Sequence, residues 1–266
     1  MPIVDLRGRT VLLTGASTGI GPHIARRLRR EGAKFVLSAR NEPALKQLGD
    51  ELGDSRVVVA DLAKRGEAER LAADAGDVDI LVSNAGVPAS GRLDSFEIDE
   101  IDRALDVNVR AGIVLARLLA PQMVWRKAGH MVFMSSVAGK LPTPGLSIYN
   151  ATKFAVRGFG LSLREELAGT GVGASVICPV YVSESGMWAV TGLKPHPVVG
   201  EVTPHQVADA VYSAITRNRR EVDVAGLGMK ATLVAQAFAP GLVAAAGRGP
   251  ASAIAGEQGE RQRDKR

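Results

Sequence analysis

Cys178 is the single cysteine in 266 residues. That excludes an intrachain disulfide and any metal site built on several thiolates. Aromatic residues are also scarce, at 4%, and nowhere do they interleave with basic side chains. The stacking platforms that hold single-stranded nucleic acid are therefore missing, and the formal charge of +5 does not read as a nucleic-acid footprint. Part of that charge lies in the surface-type run Arg26, Arg27, Arg29, Arg30 and in the tail Arg261, Arg263, Lys265, Arg266. The uncharged stretch Ala231 to Gly247 is shorter than the roughly 20 residues a bilayer span requires, and Pro240-Gly241 interrupts it. It is expected to pack on the domain, at a subunit interface or against a membrane surface, in that order. No charged-then-apolar leader precedes Thr10-Val11-Leu12-Leu13, so a cytoplasmic location is expected.

What is present is an alternation of short β-branched runs with longer helical stretches, the pattern of a parallel sheet with crossover helices. Strands are predicted over Thr10–Thr14, Lys34–Ser38, Arg56–Ala60, Ile80–Ser83, His130–Ser135, Gly173–Cys178 and Glu221–Val224. They are continuously apolar, as strands covered on both faces must be. Helices are predicted over Ile20–Glu31, Glu42–Leu52, Lys64–Ala75, Ile98–Trp125 with a break near Gly112, Ile148–Ala168 and Pro204–Arg217. The fold class is thus α/β, a doubly wound parallel sheet of about seven strands. One domain is expected over residues 1–226, including a Pro-, Gly- and Ser-rich loop at 179–203. An apolar segment follows at 227–247, then a polar tail at 248–266 expected to lack order.

Between the first strand and the first helix stands Thr14-Gly15-Ala16-Ser17-Thr18-Gly19-Ile20-Gly21. Glycines there permit a tight turn and a close approach of backbone to a diphosphate, which the free N–H groups of the helix N-terminus then hold. The spacing G-x-x-x-G-x-G is not the commoner G-x-G-x-x-G, and glycine turns also arise for steric reasons alone. Its position after the first strand of a βαβ unit makes dinucleotide binding the expectation. Cofactor choice is read at the end of the second strand, Ser38-Ala39-Arg40-Asn41. No carboxylate stands there for a ribose 2′-hydroxyl, and Arg40 suits the 2′-phosphate of NADP, so NADP is expected over NAD. The bland alternative for Arg40 is a solvated residue opening a helix.

Further motifs follow in order: Asp61-Leu62 after the third strand, Asn84-Ala85-Gly86 after the fourth, and Asn108 in the next helix. Ser135-Ser136 closes the fifth strand, and Tyr149-Asn150-Ala151-Thr152-Lys153 opens the following helix. With the glycine loop they make the chain resemble the short-chain dehydrogenase/reductase family over roughly Gly8 to Val224. The resemblance implies a Rossmann-like fold, carbonyl–alcohol interconversion by hydride transfer with NADP, no metal, and a homodimer or homotetramer. It implies that Ser136 hydrogen-bonds the substrate oxygen and that Lys153 holds the nicotinamide ribose. Asn108 would order a water leading to Lys153. Gly15, Ser17, Thr18, Gly19, Ile20 and Gly21 would meet the diphosphate, Asp61 and Leu62 the adenine, and Asn84, Ala85 and Gly86 the cofactor cleft. Pro179 and Val182 would lie on the nicotinamide side. Here the chain departs from the family pattern: Pro179-Val180 replaces Pro-Gly, the threonine often found a few residues on is replaced near Glu184 or Ser185, and Ser83-Asn84 replaces a doubled asparagine.

The residues themselves point to the same chemistry. Tyr149 and Lys153 are four apart, one turn apart on a single helix face. A free phenol titrates near about pH 10, and a neighbouring ammonium is expected to lower that. A lone Y-x-x-x-K decorates many helices; Ser136 at a strand's C-terminal end, where open α/β sheets place their sites, gives this one its meaning. His23 is expected on the helix surface. The loop residues Met187, Trp188, Val190, Leu193 and Val198, facing Leu141, Pro142 and Leu146, suggest an apolar substrate such as a steroid, fatty or aromatic carbonyl. Two other readings stand beside this one: a 3-oxoacyl carrier-protein reductase, and a regulatory protein that senses NADP(H) without turnover.

Overall fold

The computed structural model describes residues 5–195 and 199–263, with the side chains of 246–256 left aside. Seven parallel strands form one sheet in the order β3-β2-β1-β4-β5-β6-β9. These are β1 Thr10–Thr14, β2 Lys34–Ala39, β3 Ser55–Val59, β4 Ile80–Ser83, β5 Gly129–Met134, β6 Val172–Pro179 and β9 Glu221–Val224. A separate two-stranded piece joins β7 (Tyr181–Val182) to β8 (Glu201–Val202). Neighbouring residues of a strand serve opposite layers. Val11 and Leu13 pack with Ile24, Leu28 and Val211 on one face, while Leu12 packs with Leu81, Leu115 and Phe133 on the other. The continuous apolar strands follow from this two-sided cover. α1 (Gly21–Arg29), α2 (Glu42–Leu52) and α8 (Pro204–Thr216) supply the first layer. α3 (Glu67–Ala75), α5 (Ala111–Trp125) and α6 (Ser147–Glu166) lie on the second side, and α4 (Ile98–Leu105) packs through Ala104 in a smaller cluster with Val87, Ala89 and Ile148.

The break expected near Gly112 is a π-turn over Asp106–Arg110, which joins α4 to α5. Residues 98–125 together form a run long and apolar enough, by length and composition, to cross a membrane. Its buried positions Ala111, Leu115, Ala116, Leu119 and Met123 face the sheet instead. α3 begins at Glu67, not Lys64, because Asp61, Lys64 and Glu67 form successive turns ahead of it.

The segment after β6 differs most from expectation. It contains α7 (Gly186–Ala189), and after β9 come α9 (Leu227–Phe238) and α10 (Pro240–Arg261). The polar tail expected to be unstructured from residue 248 is helical through Arg261. Its anchors lie far away in sequence: Arg261 donates to the Thr191 carbonyl at 2.5 Å, and Gln262 donates to the Met187 carbonyl. Gly259 lies so close to the chain at Gly91 that an added Cβ would come within 2.6 Å of the Gly91 Cα. Such contacts leave no trace in local composition.

Candidate active site

β1 is flanked by β2 on one side and β4 on the other, so the chain order reverses there and a crevice opens beyond the strand ends. The glycine loop lies over it. Gly15 has φ +63°, and a Cβ there would come within 2.8 Å of the Ala85 Cα, so only glycine fits. Thr14 and Asn84 bind this loop to the end of β4. The Thr14 hydroxyl accepts from the N–H groups of Asn84 and Ala85, each at 3.0 Å. The Asn84 amide donates to the carbonyls of Thr14 and Gly15, each at 3.1 Å. Thr14 ends β1 and tethers the glycine loop to the end of β4, a role that local sequence does not mark.

A cavity of about 560 Å³ occupies the crevice. Gly15, Thr18, Gly19, Ile20, Asn84, Ala85 and Gly86 line one end, and Ser136, Tyr149, Lys153, Pro179 and Val182 line the other. Ser17, Gly21, Arg40, Asp61, Leu62 and Asn108 stand outside its wall. Gly21 starts α1, packed beneath the loop, where an added Cβ would collide with the Gly15 carbonyl. Arg40 follows β2 and is exposed, with no ion pair among the described residues. Beside it Ala60 donates to the Ala39 carbonyl at 3.1 Å, which brings Asp61 and Leu62 alongside Arg40 at the far end of the crevice. Asp61 caps its own turn through the Ala63 N–H at 3.3 Å. His23 leaves the cavity altogether and packs edge-on against His205, ring centroids 4.9 Å apart.

Three groups converge at the other end. Ser136 caps the short turn after β5, accepting from the Ala138 N–H at 3.1 Å, and its hydroxyl donates to the Pro179 carbonyl at 3.2 Å. It is also in hydrogen-bond contact with the Tyr149 hydroxyl. Tyr149 and Lys153 share a face of α6 one turn apart, as their spacing predicts. Lys153 is buried, and its Nζ donates to the Met134 carbonyl at 3.0 Å. Behind the cavity wall, Asn108 is buried within the π-turn and binds both polar groups of Val87. Its Oδ1 accepts from the Val87 N–H at 2.7 Å, and its Nδ2 donates to the Val87 carbonyl at 3.0 Å.

The electrostatics correct one expectation. Tyr149 is not lowered by its lysine neighbour. Burial pushes its phenol up to about 12, the Ser136 hydrogen bond opposing, and Lys153 Nζ stands 5.5 Å from the ring centroid. The same desolvation lowers Lys153 to about 8. The phenol is therefore a proton donor at neutral pH in the protein without bound molecules, and the lysine still carries most of its charge.

The apolar wall agrees with the sequence only in part. Met187, Trp188, Val190, Leu141 and Leu146 line the cavity, whereas Leu193 and Pro142 do not, and Val198 lies outside the described residues. Trp188 stacks on Tyr181 at 3.8 Å and donates to Glu201 at 2.8 Å, which fixes the loop that covers the cavity. Met229 of α9 and Gln258 and Gln262 at the end of α10 complete the wall. No motif pointed to them, because a family pattern that ends with the sheet cannot reach a later helix.

A family model described as short chain dehydrogenase matches residues 9–195. The chain belongs to that family. This short-chain dehydrogenase is an oxidoreductase. It is 36% identical over 230 residues to the ketoacyl reductase HetN of Nostoc sp., across 84% of this chain and 80% of the relative. It is 34% identical to the 3-oxoacyl-(acyl-carrier-protein) reductase FabG of Rickettsia prowazekii, across 68% of this chain and 75% of that one. Among solved structures, a short-chain dehydrogenase from Sphingobium yanoikuyae in complex with NADPH superposes with a TM-score of 0.75. That pair is 29% identical, covering 81% of this chain and 87% of the other.

Proposed function

We propose that this short-chain dehydrogenase interconverts a carbonyl and an alcohol on an apolar substrate, with NADP as the hydride carrier. The observation that carries this reading is the convergence of Ser136, Tyr149 and Lys153 on the cavity that the glycine loop also lines. The residues present fit a dinucleotide. The loop is pinned open by Thr14 and Asn84, and the Ser185 hydroxyl, on the cavity wall, is buried without a partner. That orphaned hydroxyl stands where the family threonine is replaced, ready to bind a polar group on the nicotinamide side. The Gly15–Gly21 loop and the start of α1 would hold the diphosphate, Asp61 and Leu62 the adenine, and Asn84, Ala85 and Gly86 the cleft. Arg40 would hold the 2′-phosphate, and the NADPH of the Sphingobium relative favours the same choice. The bound nicotinamide would supply or receive the hydride.

In reduction, Tyr149 gives its proton to the carbonyl oxygen as negative charge develops there. Ser136 donates a hydrogen bond to the same oxygen and stabilises that charge. Lys153 keeps a cation near the phenol, the phenolate regains its proton from solvent, and Asn108, by fixing Val87, holds the chain beside it. In oxidation the phenol must first give up a proton held at about 12, which requires positive charge added beside it. A second reading, reduction of a 3-oxoacyl thioester, is favoured by the names of the two relatives, a ketoacyl reductase and a 3-oxoacyl-(acyl-carrier-protein) reductase.

The test is NADPH oxidation with a panel of apolar ketones, aldehydes and an acetoacetyl thioester, using wild type and Tyr149→Phe. Removing the proton donor is expected to lower kcat by about a hundredfold or more, with NADPH binding retained. Equal turnover by the two proteins would overturn the assignment.

A further inference from the structure

The end of α10 closes the cavity with two glutamines, and one of them has an unmet hydrogen-bonding group. Gln262 is fully buried and its Nε2 is committed to the Met187 carbonyl. Its Oε1 therefore turns to Gln258 and needs a donor. Gln258 supplies one, its Nε2 standing 3.5 Å away. This fixes which way the Gln258 amide faces, since turning it over would set two carbonyl oxygens against each other. The Gln258 Oε1 is then left without a partner among the described residues, in a side chain only 8% exposed that lines the cavity wall.

A buried acceptor left unpaired costs about 1–3 kcal/mol. No described residue fills the position, and much of the cavity wall is apolar: Leu141, Leu146, Val190, Val199 and Met229. The helix is also held firmly. Arg261 and Gln262 brace it on the loop through Thr191 and Met187, and Gly259 seats it against Gly91. A pre-positioned acceptor in an apolar pocket selects for a ligand that brings a donor, because a ligand without one leaves the acceptor dry and unsatisfied.

We infer that Gln258 is a specificity residue that accepts a hydrogen bond from a hydroxyl or amide N–H carried by the substrate away from its reacting carbonyl. The inference rests on the reading of this cavity as a carbonyl-reduction site, and it narrows the substrate class to apolar carbonyl compounds with a second, donor-bearing group. Gln258 has no part in the proton transfer, so its contribution falls on KM more than on kcat.

The experiment compares three ketones of one apolar skeleton, unsubstituted, hydroxyl-bearing and amide-bearing, with NADPH as reductant. Wild type is expected to favour at least one donor-bearing ketone by about tenfold in kcat/KM, and the larger of the two preferences identifies the donor. Gln258→Met, nearly the same shape without the acceptor, should erase that preference mainly through KM. Gln258→Ala removes the acceptor and leaves room for a water to meet Gln262 Oε1. It should erase the same preference, and it decides the matter alone if the methionine variant fails to fold. A wild type indifferent to all donors, or a preference that survives in Gln258→Met or in Gln258→Ala, would overturn the inference while the Tyr149→Phe result stood. A wild type that reduces no ketone at all would overturn the reading of the cavity, and this inference with it.

Discussion

Lys153 carries an ammonium into a place where desolvation lowers its pKa to about 8, and among the described residues it donates to the Met134 carbonyl. In the unfolded chain the same group titrates at its ordinary value, 10.5. Below about pH 8 both states hold the proton and the folded protein bears the full cost of burying it. Above that, the unfolded state holds more proton than the folded one, so stability rises with pH until the ordinary value is passed. Tyr149 acts in the opposite sense at higher pH. Its raised pKa favours the fold below about 10, a contribution lost as pH rises through about 12. Comparison with Lys153→Met isolates the lysine. Urea unfolding of the cofactor-free proteins should show wild type gaining about 2 kcal/mol on the variant between about pH 7.5 and about pH 9.5. A constant difference would show that the ammonium is not desolvated. The variant is expected to be inactive at every pH, so burial that weakens the fold is retained for the charge it keeps beside Tyr149.

At the scale of elements, the π-turn between α4 and α5 gives Asn108 its direction. One extra residue in the turn rotates the side chain inward, where it binds Val87 through both polar atoms and reaches Thr152 on α6 at 3.4 Å. Three elements of the candidate site are thereby held in one network. Asn108→Leu keeps the volume but leaves the Val87 N–H and carbonyl unpaired. Urea unfolding should show a loss of at least about 2 kcal/mol, together with reduced kcat. The sequence carried much of this arrangement. The helical period of Tyr149 and Lys153, the strand-end position of Ser136 and the glycine loop are local features, and the fold places them as read. Asn108 was legible as a position, but the turn that aims it was not, since a π-turn has no compositional mark. The end of α10 was least legible of all. Its Ala-, Gly- and Gln-rich sequence resembles a solvated tail, and only the distant partners Met187, Thr191 and Gly91 make it a wall of the cavity.

For the molecule as a whole, the cavity is assembled from segments spread across the chain: the loop after β1, the ends of β4, β5 and β6, the start of α6, the covering loop and the tip of α10. A ligand that fills it ties these segments together, and it binds only the folded state, so cofactor affinity must appear as stability. At about a hundred times its dissociation constant a cofactor adds about 2.7 kcal/mol, which for a chain of this size raises Tm by about 5 °C or more. NADPH and NADH differ only in the 2′-phosphate. The exposed Arg40, without an ion pair among the described residues, is the cation at the end of β2 that can meet it. NADPH is therefore expected to raise Tm more than NADH at equal concentration, by the equivalent of about tenfold in affinity, or about 1.4 kcal/mol. Arg40→Ala should abolish that difference by lowering the NADPH shift to the NADH level, and it should leave the Tm of the cofactor-free protein unchanged. A thermal-shift series with both dinucleotides and both proteins measures all four quantities. Equal shifts in wild type would remove the basis for NADP at Arg40, and a difference that persists in Arg40→Ala would place the phosphate contact elsewhere in the crevice.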